Sequence, residues 1–172
     1  MTRAFSALIL VLSACQSDGS VPEFSLEDVN PASPTAGQML GPQHFDGQVS
    51  AWYFGMATCP ICQGHFDELD AMSARLKSDE PGAAITILGI NQAGRESAND
   101  VITDRHTLAW LQDTDQADVF GVWPPVQIRE LKVVGPDGTV AAVFDLNTQD
   151  PAEEAVQTEI EDLLLSLAPV LD

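Results

Sequence analysis

The distribution of apolar and polar positions divides most of the chain into alternating strands and helices. Apolar runs at residues 49–54 and 84–90 predict buried strands, and residues 24–29 and 108–111 predict shorter ones. Residues 62–78 carry large apolar side chains at steps of three and four, which indicates a helix with one buried face; these are Phe66, Leu69, Met72 and Leu76. The first half of the chain therefore predicts a β-α-β unit.

The second half predicts two strands followed by a helix. Residues 129–134 and 139–145 flank the turn Gly135-Pro136-Asp137-Gly138, an arrangement typical of a hairpin. The pair Asp150-Pro151 predicts the start of a last helix, because proline is favoured at the first helical position. Prolines and glycines in residues 30–47 indicate a loop. We find no internal repeat, so the pattern predicts one α/β domain with a central mixed sheet and flanking helices.

The first residues of the chain predict an export signal. Residues 1–14 contain a single positive charge and then an apolar stretch too short to span a bilayer, which is typical of a secretory signal peptide. The segment Leu12-Ser13-Ala14-Cys15 resembles a bacterial lipobox, and that resemblance implies cleavage before Cys15 and lipidation of this cysteine. An ordinary signal peptide with a chance cysteine is the alternative. The lipobox resemblance implies a lipidated tether over residues 15–23, followed by the domain over residues 24–172.

Composition narrows the classes of partner. With 172 residues and 45% hydrophobic content, the chain is long and apolar enough to bury a core. Its formal net charge is -19, from 26 acidic against 7 basic residues. Such a surface argues against nucleic acid and anionic lipid as ligands, since both would be repelled.

The motif Cys59-Pro60-Ile61-Cys62 carries the predicted chemistry. It follows the first long apolar strand and opens the predicted helix. A thiol at a helix N-terminus meets free N–H groups and the positive end of the helix dipole, which favour its thiolate. Cys62, one turn later, is close enough to attack a mixed disulfide formed on Cys59. If the third cysteine, Cys15, is lipidated, only these two thiols remain in the exported chain. We therefore expect them to form a redox-active pair, because thiols outside the cytoplasm tend to oxidise.

The order of elements around this motif resembles the thioredoxin fold, over roughly residues 24–168. The segment Phe24-Ser25-Leu26 before the apolar strand is similar to membrane-tethered redoxins of the TlpA type. The later part resembles the amino-terminal domain of selenoprotein P, through the stretches Ile85–Asn91, Leu111-Gln112-Asp113, Asp118-Val119-Phe120 and 129–138. That family places selenocysteine where this chain has Cys59, so the resemblance implies a dithiol site and no selenium chemistry. It implies Cys59 as the nucleophile and Cys62 as the resolving thiol.

One position departs from the thioredoxin pattern. Thioredoxins carry a cis-proline beside the cysteine pair, and the corresponding position here is Arg129. Either Pro125 takes that place through a longer loop, or the site has no cis-proline and Arg129 lies near the thiols. In the second case the guanidinium would help to hold Cys59 as a thiolate. A charge at a strand edge without such a role is the alternative.

Rival uses of the cysteine pair involve metals or an inert disulfide. Zinc would need two further ligands, and the three histidines, His44, His65 and His106, lack a standard spacing. Copper is the sharper rival, because Met56 and His65 flank the pair with soft or borderline donors. A disulfide without turnover is a third alternative, and a peroxidase is disfavoured because Met56 occupies the place of the expected threonine.

The sequence thus predicts an enzyme, an exported thiol-disulfide oxidoreductase that exchanges disulfides with protein partners through Cys59 and Cys62. The resemblance implies no organic cofactor and no metal. We expect the protein at the periplasmic face of a bacterial membrane. Gln16 follows Cys15 in place of the aspartate that marks retention at the inner membrane, which favours the outer membrane.

Overall fold

A five-stranded mixed sheet forms the centre of the molecule. The structure is a computed structural model and describes residues 21–123 and 127–169. A separate two-stranded ribbon precedes the sheet, formed by β1 (Leu26–Glu27) and β2 (Met39–Leu40). The strands of the main sheet are β3 (Val49–Gly55), β4 (Ile85–Asn91), β5 (Ala109–Gln112), β6 (Glu130–Val134) and β7 (Val140–Asp145). Their order is β5-β4-β3-β6-β7; β3, β4 and β5 are parallel, and β6 and β7 are antiparallel to their neighbours.

Two long and two short helices accompany the sheet. The α-helices are α1 (Pro60–Asp79), α2 (Asn99–Thr103), α3 (Val119–Val122) and α4 (Glu154–Leu167), and short 3₁₀ helices occupy Pro42–Phe45 and Glu96–Ala98. Helix α1 connects β3 to β4, which is the crossover that a parallel pair requires.

Alternation along β3 produces one core on each face of the sheet. Ala51 and Tyr53 face the side that α1 and α4 cover, where Phe66 and Ile160 are also fully buried. Trp52 and Phe54, which alternate with them along β3, face the opposite side of the sheet. There they form a second core with residues of the N-terminal segment and of α3 and its end: Phe24, Val119 and Trp123. Because both faces are covered, β3 is buried at every position.

Two sequence-based boundaries are wrong. The predicted strand at 24–29 is shorter, and its partner β2 lies inside the segment predicted as a loop. Helix α4 begins at Glu154 and not at Pro151, because Asp150 forms a turn of its own. The Asp150 carboxylate accepts a hydrogen bond from the Ala152 N–H at 2.9 Å, and the Asp150 carbonyl accepts one from the Glu153 N–H at 3.0 Å.

The predicted signal peptide at 1–14 and the predicted lipidation site Cys15 lie outside the described residues. Within residues 21–123 and 127–169, no helix has both the length and the apolar character needed to cross a bilayer.

Candidate active site

Cys59 and Cys62 lie where β3 leaves the sheet and α1 begins. Cys59 is the N-cap of the helix, and its sulfur accepts the backbone N–H of Cys62 at 3.4 Å. Pro60 occupies the first helical position, where its missing N–H costs nothing. Both cysteines are free thiols; Cys59 is half-buried, whereas Cys62 is fully buried. A partner disulfide can therefore reach only the first sulfur directly.

The environment of Cys59 favours its ionised form. Partial burial acts to raise the pKa of this thiol, but hydrogen bonds from the Cys62 side chain and from the backbone N–H groups of Cys62 and Ile61 act to lower it. The positive charge of Arg129 also lowers it. The net result is a pKa below the ordinary value of a cysteine, so Cys59 is the more reactive thiolate of the pair.

Cys62 is held in its protonated form. Burial and the interaction with Cys59 raise the pKa of the Cys62 thiol to about 11, against smaller lowering effects from the Met56 backbone and the Tyr53 hydroxyl. The Tyr53 hydroxyl donates to the Cys62 carbonyl at 3.3 Å and also bonds its thiol. Burial, first, and then the neighbouring Cys62 raise the pKa of Tyr53. The two thiols thus have opposite tendencies, as a nucleophile and a resolving thiol require.

Arg129 lies close enough to Cys59 for its charge to act on that thiol. Its backbone is held between two elements, since its N–H donates to Phe54 O at 2.7 Å and its carbonyl accepts from Leu146 N–H at 2.8 Å. Its φ is +71°, a left-handed conformation that is costly for a residue with a side chain. The buried Nε has no hydrogen-bond partner within the described ranges. Pro125, the alternative occupant of the cis-proline position, lies outside those ranges.

A buried amide network supports the loop before Cys59. The Asn91 side-chain oxygen accepts the Ala57 N–H at 3.0 Å, and its amide donates to Asn99 and Gln112, both at 2.9 Å. Gln63 donates to the Ala57 carbonyl at 2.7 Å from the helix side. Sequence reasoning did not select Asn91. Its position at the carboxyl end of an apolar strand, at the same edge of the sheet as the cysteine pair, was the available signal.

The candidate metal ligands, the three histidines and Met56, each have different neighbours in the structure. His65 is buried on α1, with its Nε2 4.0 Å from an Asp150 carboxylate oxygen. His44 Nδ1 accepts the Gly41 N–H at 3.0 Å, and His106 Nε2 bonds Asp67 at 2.7 Å. Met56 packs against the core. Among the described residues, no group of three or more histidine, cysteine, aspartate or glutamate side chains is arranged to hold a metal ion.

Comparison with known proteins identifies the fold. A secreted thiol-disulfide isomerase from Corynebacterium glutamicum is 22% identical to the chain, with a TM-score of 0.62 over 86% of this chain and 84% of that one. A secreted Mycobacterium tuberculosis disulfide oxidoreductase homologous to E. coli DsbE is 16% identical, with a TM-score of 0.61 over 84% and 96% of the two chains. The chain has a thioredoxin-like fold. Further structural neighbours with this fold include StoA from Bacillus subtilis, which is 13% identical with a TM-score of 0.56 over 74% and 90% of the chains.

The thioredoxin-like fold confirms the predicted α/β class, the mixed sheet flanked by helices and the single domain. The structural neighbours named above are, by their descriptions, mostly thiol-disulfide oxidoreductases and isomerases. No family model and no curated protein sequence matches the chain. At these identities the similarity establishes the fold, and the chemistry has to be argued from the site.

Proposed function

We propose that this protein is an enzyme, a thiol-disulfide oxidoreductase that exchanges disulfides with protein partners. The observation that carries the proposal is the asymmetry of the cysteine pair at the start of α1. Cys59 is half-exposed with a lowered pKa, and Cys62 is buried with a raised pKa, while the Cys62 N–H lies 3.4 Å from the Cys59 sulfur. A zinc site or an inert crosslink has no need of such asymmetry.

The proposed reaction has two steps. The Cys59 thiolate attacks a substrate disulfide, forms a mixed disulfide and expels one substrate thiolate. Cys62 then loses its proton and attacks the Cys59 sulfur, which releases the second substrate thiol and leaves a Cys59–Cys62 disulfide. Two electrons pass from the pair to the substrate. In the reverse direction the oxidised pair would accept two electrons from a substrate dithiol, and a redox partner protein would restore the starting form.

Arg129 has a proposed role as a thiolate-stabilising residue. Its guanidinium lowers the pKa of Cys59 through charge and comes from the position where the thioredoxin pattern has proline. No organic cofactor is required, because the sulfur pair itself donates or accepts the two electrons.

The proposed cellular location rests on the chain start and on relatives of known fold. We propose a signal peptide at residues 1–14, lipidation of Cys15, a tether over 15–23, and a thioredoxin-like domain over 24–172. The structural neighbours described as secreted support export. The lipoprotein would lie at the periplasmic face, and Gln16 after Cys15 favours the outer membrane over the inner one. Replacement Cys15→Ser should abolish incorporation of radiolabelled fatty acid and release the protein from the membrane fraction.

Reaction with a peptide disulfide tests the catalytic proposal. Cys59→Ser should abolish thiol release, and Cys62→Ser should accumulate a mixed disulfide that mass spectrometry locates on Cys59. Cys15→Ser is the control, and it should keep the wild-type exchange rate. Absence of any adduct in Cys62→Ser, together with a reduction potential far below those of exchange proteins, would point to an inert crosslink.

Copper binding is the alternative use of the same sulfurs. It predicts tight Cu(I) binding that is weakened by changes at Cys59, Cys62, and Met56 or His65. If competition with a Cu(I) chelator shows such binding while peptide disulfides form no adduct, the copper proposal replaces exchange.

A further inference from the structure

The second step of the proposed exchange needs a proton acceptor beside Cys62. This sulfur is buried, and its pKa is raised to about 11, so it is a thiol at neutral pH. Only the thiolate attacks a disulfide efficiently. A group near Cys62 must therefore take its proton during resolution of the mixed disulfide.

His65 lies one helical turn beyond Cys62 on the same face of α1. Residues three apart on a helix are surface neighbours, with Cβ atoms typically about 5–6 Å apart. Tyr53 packs against both residues: its hydroxyl bonds Cys62, and its ring meets the His65 ring at a centroid distance of 6.3 Å and an angle of 66°. Tyr53 thus connects Cys62 to His65, and all three side chains form one buried cluster.

The two nitrogens of His65 face different surroundings. Nδ1 is buried and has no hydrogen-bond partner in residues 21–123 and 127–169, although His65 is only 6% exposed. A buried ring nitrogen without a partner is costly and is unusual in a merely structural histidine. Nε2 lies 4.0 Å from the carboxylate of Asp150, whose side chain is 56% exposed. The ring therefore spans the distance between the buried cluster and a group in solvent.

The other ionisable groups of the cluster are poorly suited to accept a proton. Tyr53 is itself protonated, because burial and Cys62 raise its pKa. Arg129 stays charged and has only donors to offer. Burial lowers the pKa of His65, Asp150 acts to raise it, and Arg129 lowers it further, so its imidazole is neutral at pH 7 and has a free acceptor nitrogen.

We propose that His65 accepts the proton of Cys62 during resolution and passes it to solvent on the Asp150 side. The inference rests on the exchange activity proposed above. In this step the Cys62 S–H bond breaks and the proton moves to the imidazole, directly or through one water. The resulting thiolate attacks the Cys59 sulfur, the Cys59–substrate S–S bond breaks, and the substrate leaves as a thiolate that takes up a proton. The sulfur pair is oxidised by two electrons and the substrate is reduced.

Rapid-quench kinetics with a peptide disulfide test the role of His65, since formation and decay of the mixed disulfide are measured separately. His65→Gln keeps polar atoms but cannot titrate near neutrality. We expect it to slow decay of the mixed disulfide by about 100-fold at pH 7, the lower end of the range of general-base effects. Formation by Cys59 should change by less than about twofold, because Cys59 already has its own lowered pKa.

The pH profile separates a proton acceptor from a packing residue. In the wild type, resolution should slow as pH falls through the His65 pKa, because the imidazolium cannot accept a proton. In His65→Gln this inflection should vanish, and the rate should rise steadily with pH. Asp150→Asn, at an exposed position, should slow resolution by about two- to threefold because it makes His65 a weaker base. His106→Gln, at a buried histidine that bonds Asp67, is the matched control and should leave both steps unchanged.

The outcomes distinguish this inference from the proposed activity. If the wild type resolves mixed disulfides but folded His65→Gln does so at the wild-type rate and with the wild-type pH profile, the role of His65 is refuted and the exchange activity stands. If Cys62→Ser traps no adduct on Cys59, the exchange activity itself fails. A folded Asp150→Asn variant with unchanged kinetics would exclude Asp150 from the proton path, and with it the proposal as stated.

Discussion

At the scale of single residues, two identical side chains three positions apart acquire different chemistry. Cys59 accepts hydrogen bonds from the first turn of α1, and these outweigh its partial burial. Cys62 lies one turn deeper, and there the effect of burial, which raises the thiol pKa, outweighs that of the hydrogen-bond donors, which lower it. The difference comes from the number of N–H groups available to each sulfur and from the depth of each side chain.

Arg129 gives a direct test of the charge effect on Cys59. Arg129→Gln removes the positive charge, so the pKa of Cys59 should rise and its thiolate fraction at pH 7 should fall. We expect alkylation of Cys59 by iodoacetamide to slow by a factor of about 3 at pH 7, because reactivity follows the thiolate fraction. The inflection of the rate should move to higher pH, and the two proteins should converge above both pKa values.

Arg129→Lys is the matched control, because it keeps the charge on a side chain of different shape. It should restore most of the wild-type rate. A glutamine variant with an unchanged alkylation profile would show that the guanidinium does not stabilise the thiolate.

Asn91 tests whether the amide network positions the nucleophile. Asn91→Ala leaves the buried Ala57 N–H and the Gln112 side-chain oxygen without this partner, and we expect a loss of about 2–3 kcal/mol in the free energy of unfolding. The rate of Cys59 alkylation should also change, since the loop that precedes it loses its anchor. Urea unfolding and mass spectrometry measure the two effects.

Asn30 is the matched control for this change. It is equally buried, and its amide donates to His106 O at 2.9 Å and Leu108 O at 2.7 Å, in a different part of the molecule. Asn30→Ala should cost similar stability but leave Cys59 alkylation unchanged. If both variants changed the rate of Cys59 alkylation equally, the amide network would have a purely structural role.

At the scale of elements, the contact between α1 and the sheet depends on a strand position without a side chain. A Cβ at Gly89 would overlap the Trp110 ring and come within 2.9 Å of Phe66 Cε2. Gly89→Ala should therefore lower the free energy of unfolding by about 1–3 kcal/mol, as overpacking does. The overlap is steric, so we expect the loss in both redox forms.

Gly64→Ala is the opposite case on the same helix. Its added Cβ would meet nothing within 4 Å, and alanine in a helix interior is favoured over glycine by about 0.5–1 kcal/mol. We expect stabilisation of that order in urea unfolding. If Gly64→Ala destabilised the protein as much as Gly89→Ala, the assigned packing of α1 on the sheet would be wrong.

The elements were predictable to different degrees. Residues 49–54 and 62–78 were predicted closely, because their patterns are local and each buries a full face; the observed bounds are Val49–Gly55 and Pro60–Asp79. Strand β1 was predicted too long and its partner β2 was missed, because two-residue strands have no periodicity and depend on pairing. The start of α4 was misplaced because Asp-Pro serves a turn as well as a helix N-terminus.

At the scale of the whole molecule, net charge should select partners. A formal charge of -19 on 172 residues produces a field that attracts basic and repels acidic substrates. At low salt, about 0.01 M, a basic peptide disulfide should react at least about 10-fold faster than an acidic peptide with the same cysteine neighbours. In about 1 M salt, where the screening length is about 3 Å, the difference should nearly disappear.

A neutral peptide serves as the control, and its rate should be nearly independent of salt. If the preference for the basic peptide persisted at high salt, specific contacts and not the overall field would determine substrate choice.

The sequence by itself determined the class of fold, the order of the main elements and the position of the dithiol at a strand-to-helix junction. These follow from local periodicity and from the spacing of two cysteines, which a chain expresses without knowledge of its distant parts. Only the tertiary structure decided how the site is tuned. Arg129 lies just before β6 and Asn91 ends β4, so their effects on the Cys59 pKa and on the loop before Cys59 arise only when those strands are assembled beside β3. Tyr53 lies on β3 itself, but its bond to Cys62 forms only when α1 packs against that strand. The unpartnered nitrogen of His65 belongs to the same category, because burial is a property of the packed molecule and not of a residue in sequence.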